Sequence, residues 1–73
     1  MINEGEAATE HPDVAGSYDN IGKVHEEKGE HDKALENYQK AYAIWLKKLG
    51  PNHPNTKLVK GQLDALAKEL EKK

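Results

Sequence analysis

The 73-residue chain contains no cysteine and no phenylalanine, and its one tryptophan and three tyrosines bring aromatics to only 5%. The missing cysteine excludes a disulfide framework and a Cys-ligated zinc site. No apolar run approaches the ~20 residues that would span a bilayer, so no membrane partner is expected. Lysine and arginine number 11 against 13 acids, a formal net charge of −2, which leaves no basic excess for nucleic acid. The opening MINEGE has neither the positive region nor the apolar stretch of a signal peptide. With no cysteine and no export signal, the expected compartment is the cytoplasm. A chain of this length buries only ~60% of its unfolded surface and is marginal alone. Stability must therefore come from well-packed helices or from self-association.

What is present is polar and periodic. Apolar residues make up 36% and charged residues 33%. Residues 1–13 carry a net −4 and residues 14–31 a net −2, while 32–49 and 50–73 carry +2 each. Residues 1–10 are polar, aperiodic and contain Gly5, which predicts a flexible acidic leader. One domain is expected over residues 11–73. Val14, Tyr18, Ile21 and His25 fall on one face of a helix predicted over 12–28. Gly29 reads as its stop and Asp32 as the N-cap of the next helix, over 32–49. In that helix Ala34, Tyr38, Ala41, Trp45 and Leu49 form one stripe, with Leu35, Tyr42 and Leu46 beside it. The combined face is too broad for one neighbour and predicts contact with two. Gly50, Pro51 and Pro54 end it. A third helix over 55–71 presents Val59, Leu63, Leu66 and Leu70, with Lys57, Lys60, Asp64, Lys68 and Glu71 opposite. No strand pattern occurs, so the class is all-α.

His11-Pro12 recurs 42 positions later as His53-Pro54, and the same shift pairs Ile21 with Leu63, Val24 with Leu66 and His25 with Ala67. Helix three is therefore a second copy of helix one. Tyr18-x2-Ile21-Gly22-x2-His25, followed by Ala34-x3-Tyr38 and Ala41, resembles the tetratricopeptide (TPR) signature. The closing Leu49–Pro54 segment and the 42-residue period are similar to the longer variant found in kinesin light chains. The resemblance implies a helix-turn-helix unit with helix three as a capping helix. Gly22 and Ala34 are small where two helices must cross closely, while Tyr18 and Tyr38 fill space on either side. His25 replaces the usual aromatic, and Leu46 stands where the shorter variant has proline. In the second copy Lys60 occupies the place of Tyr18 and Asp64 that of Gly22, the polar substitution expected of a terminal cap.

Chemistry is sparse. His25 and His31 lack a one-face ligand spacing, no H-E-x-x-H occurs, and His11 and His53 fit a helix-capping role, so no metal or other cofactor is expected. Ser17 is the only serine and has no base nearby in sequence, and the glycines are isolated rather than clustered around a phosphate. No catalysis is expected. The lysine-rich tail of Lys68, Lys72 and Lys73 is interrupted by Glu69 and Glu71 and reads as a solvated helix end. The resemblance implies a concave surface that binds a peptide or protein, with Asp19, Asn20, Lys23, Glu26 and Glu27 as candidate contacts. A carboxylate clamp is not expected, because Glu26 and Glu27 lie beside Asn20 and Lys23. The alternative is a self-assembling structural unit, natural or engineered, that forms homo-oligomers through Tyr38, Tyr42, Trp45, Leu46 and Leu49.

Overall fold

The computed structural model describes residues 11–71, so the leader expected over residues 1–10 and the final Lys72 and Lys73 lie outside the described residues. Helix α1 spans Pro12–Glu27, α2 spans His31–Leu49 and α3 spans Pro54–Glu71. No strand occurs among the described residues.

The two copies of the repeat begin alike. His11 Nδ1 accepts the Asp13 backbone N–H at 3.1 Å, and His53 Nδ1 accepts that of Asn55 at 3.1 Å. In each case the next residue is proline, which brings no N–H of its own to satisfy. The histidines are thus side-chain caps of α1 and α3, as their loop positions suggested.

Between α1 and α2 the chain turns through Gly29 at φ 82°, a left-handed conformation that a side chain disfavours. The Gly29 N–H donates to the Glu26 carbonyl at 3.0 Å and the Glu30 N–H to the His25 carbonyl at 2.9 Å. This pair of bonds is a Schellman motif, which ordinarily carries an apolar contact between its outer residues. Here a hydrogen bond replaces that contact, with His25 Nδ1 2.7 Å from Glu30 Oε1. The departure from an aromatic at His25 therefore gives the turn a polar clip. One expectation needs correction: α2 starts at His31 behind Glu30, whose side chain makes no capping bond, and Asp32 lies inside the first turn. The Schellman turn feeds the chain directly into helix, leaving Asp32 to act on the helix dipole rather than as a cap.

Helix α2 is the centre of the fold and packs against both α1 and α3, as its broad face predicted. Its buried residues are Ala34, Tyr38, Ala41, Ile44 and Trp45. From α1 come Ala15, Asp19 and Gly22, and from α3 Thr56, Val59 and Leu66. The face that α1 buries is not the one its large apolar residues mark. Val14 and Tyr18 pack at the edge of the core, while Ile21 is 44% exposed. The contact line runs through the small residues because they let the helix axes approach. A Cβ on Gly22 would lie 2.7 Å from Cδ1 and Cε1 of Tyr38 and 3.3 Å from the Ala34 carbonyl oxygen. The close crossing of Gly22 and Ala34 is present, and the Tyr38 ring lies directly over it.

Candidate functional groove

A shallow groove of about 610 Å³ opens where the first turns of α1 and α3 face each other. It is lined by Asp13, Gly16, Ser17 and Asn20 of α1, by Trp45 and Leu49 of α2, and by His53 and Asn55. The 42-residue shift places Asp13 and Asn55 at matching positions, both held at a helix start by a histidine cap. The Trp45 indole N–H donates to the Pro12 carbonyl at 3.2 Å, which fixes the ring as the groove's floor. Gly16 leaves that part of the ring uncovered, since an added Cβ would sit in van der Waals contact with it at 3.9 Å. The Ser17 hydroxyl donates to the Asp13 carbonyl at 3.5 Å. The groove thus joins an apolar base to a rim of amide, hydroxyl and carboxylate groups, suited to a side chain below and a peptide backbone above.

The candidate contacts from the sequence divide. Asn20 lies in the groove and is exposed. Lys23, Glu26 and Glu27 are exposed on α1 but do not line it. Asp19 is 6% exposed, correcting its assignment to an open face. Its Oδ2 lies 3.5 Å from Lys23 Nζ, while Oδ1 is buried without a hydrogen-bond partner among the described residues. Glu26 is committed within the subunit, accepting the Tyr38 hydroxyl at 2.7 Å. Burial, and after it the bond to Glu26, raises the Tyr38 phenol well above its ordinary range. The hydrogen bond from His25, followed by nearby lysines, holds Glu30 below the usual carboxylate value.

The stripe assigned to self-association divides as well. Tyr38 and Trp45 are spent inside the subunit, at 0% and 7% exposure. Tyr42 and Leu49 are half-buried against the core, and Leu46 is exposed. The sequence reading missed Asp13, His53 and Asn55 as groove residues. The repeat carried the signal, because each His-Pro pair is followed by a polar side chain on the same helix turn. Among the described residues no group of three His, Cys, Asp or Glu side chains is arranged to hold a metal ion. No helix among them is long and apolar enough to cross a membrane.

The family model described as tetratricopeptide repeat matches residues 8–70. No curated protein matches the chain, and no solved structure does.

Proposed function

The chain belongs to the tetratricopeptide repeat family, and from that membership we propose that it is a non-catalytic interaction module whose groove between α1 and α3 takes an extended peptide segment of a protein partner. The observation that carries this reading is the groove itself, with Trp45 and Leu49 as an apolar floor and Asn20 and Asn55 on its rim. An asparagine side chain both donates and accepts, so two of them match the alternating donors and acceptors of a peptide backbone. The floor takes one apolar side chain of the partner. Asp13 adds a carboxylate at the mouth, 93% exposed, which disfavours a peptide acid there. The partner chemistry is a neutral or cationic extended segment with an apolar anchor.

The test is selection from a phage-displayed peptide library, followed by calorimetry on the peptides recovered. Asn20→Ala and Asn55→Ala each weaken binding several-fold, corresponding to ~1 kcal/mol for a lost hydrogen bond. Peptides whose affinity is unchanged by both substitutions would place binding elsewhere and refute the groove.

A further inference from the structure

The internal repeat allows each face of α1 to be compared with its counterpart in α3. Val14, Ile21 and Val24 correspond to Thr56, Leu63 and Leu66. In α3 that face is the packing face: Thr56 is 1% exposed, Leu66 is 2%, and Leu63 packs against the core, all through contact with α2. In α1 Val14 packs at the edge of the core, but beyond it no helix among the described residues covers the same face. Ile21 is 44% exposed and Val24 50%. The reverse comparison is equally one-sided. The residues by which α1 packs on α2, Ala15, Asp19 and Gly22, correspond to Lys57, Gly61 and Asp64 of α3, all of them exposed. Gly61 has nothing within 4 Å of an added Cβ, and Asp64 pairs with Lys60 at 3.2 Å. Among the described residues one end of the unit is apolar and bare, and the other is mostly polar, with Leu58 its one large exposed apolar side chain.

We propose that the chain forms a closed two-fold dimer in which the Val14–Ile21–Val24 face of α1 packs antiparallel on the same face of a second copy. On the second copy α2 packs against both α1 and α3, and the other exposed large apolar side chains, Leu46 and Leu58, stand on separate helices rather than together on one face. A head-to-tail filament would set Ile21 and Val24 against Lys57 and Asp64, burying charge against apolar surface. Pairing bare end with bare end is the arrangement that hides both, and it stops at two. With the axis at Ile21, Val24 meets the other copy's Tyr18, and the Lys28 ammonium comes to the start of the other α1, beside the exposed Asp13. Two such ion pairs fix the antiparallel direction. The interface is a single face of a 16-residue helix, well below the ~800 Å² per partner of a standard complex. The dimer is correspondingly weak and concentration-dependent.

Sedimentation equilibrium from about 10 μM to about 1 mM tests this, because mass action makes the dimer fraction rise over that range. The expected result is a molar mass that climbs from one to two chains and levels there. Val24→Lys raises the dissociation constant at least about tenfold, since two-fold symmetry counts the substitution twice, while helicity stays that of the parent. The chain has no native cysteine, so an Ile21→Cys variant carries a single thiol at the axis. Under oxidation it closes into a covalent dimer faster than Gly61→Cys on the polar end. A constant monomer mass at every concentration, a mass that keeps growing past two chains, or cross-linking at Gly61→Cys as fast as at Ile21→Cys would each overturn the proposal.

Discussion

Replacing Gly22 with alanine measures how closely α1 and α2 approach. In an ordinary helix interior the change favours the alanine form by ~0.5–1 kcal/mol, through backbone entropy. At Gly22 the new methyl would meet Cδ1 and Cε1 of Tyr38 at 2.7 Å and the Ala34 carbonyl at 3.3 Å. Ordinary contact requires the ring to withdraw by about 0.7 Å. Tyr38 has no room to do so: it is fully buried, and its hydroxyl is tied to Glu26 at 2.7 Å. Overpacking of this kind costs ~1–3 kcal/mol, so the clash outweighs the helix gain. Gly61 in α3 provides the matched control, because its added methyl meets nothing within 4 Å. The helix term cancels between Gly22→Ala and Gly61→Ala, and the difference between them isolates the clash. Thermal melts followed by circular dichroism, at one low protein concentration, should place Gly61→Ala a few degrees above the parent. Gly22→Ala should fall below it, with each kcal/mol moving the midpoint by ~4–8 °C in a domain of this size. If Gly22→Ala is as stable as Gly61→Ala, the axes do not cross as closely as described.

The same crossing predicts that Ala34→Leu, at a site with 0% exposure, lowers stability by ~1–3 kcal/mol in urea titration, whereas a parent-like midpoint would contradict the packing. Gly29→Val forces a branched side chain to φ 82° and should cost more than ~1 kcal/mol; a crystal structure of the variant with a continuous helix through the turn would show that the left-handed residue is dispensable. Because the folded value of Glu30 lies below its unfolded one, its contribution is present above the ordinary carboxylate pKa and disappears as pH falls through the lowered value. Glu30→Gln should therefore flatten part of the acid limb of a stability–pH curve, and an unaltered limb would show that the His25 clip adds nothing. Tyr38 is shifted the other way, so its contribution is full below a phenol's ordinary value and declines as pH rises beyond it. Tyr38→Phe should remove that alkaline decline while losing ~0.5–1.5 kcal/mol at neutral pH with the Glu26 bond.

Much of this fold is legible in the chain because helices are local. Val59, Leu63 and Leu66 mark α3, Gly29 and Gly50 mark the stops, and the two His-Pro pairs mark starts, so the three expected helices agree with the observed ones to within a residue at each end. What periodicity could not supply was which side of α1 faces inward. Hydrophobic spacing pointed to Val14, Tyr18 and Ile21, yet a helix that must approach closely turns its small residues to the contact, here Ala15 and Gly22, and carries Asp19 inside with them. The groove was hidden for a related reason. Its floor depends on Trp45 reaching Pro12 across 33 positions, a pairing that no local pattern encodes. Asn20 was recognised because the family resemblance placed it on an open face. Asp13 and Asn55 carried only the faint signal of the repeated His-Pro step.

The helix starts differ in how far they depend on the rest of the molecule. Each of the caps on α1 and α3 is made by a histidine reaching two residues along its own chain, so both starts are defined before any tertiary contact exists. Helix α2 has no such side-chain cap, and its entry is set by bonds from Gly29 and Glu30 back into the last turn of α1. Its beginning is thus conditional on α1 being wound. That dependence predicts that α2 winds only once the last turn of α1 is formed, whereas α3, independently capped beyond Gly50, can start without either. The packing is between helices that are neighbours in the chain, the circumstance in which small helical domains fold in microseconds to milliseconds.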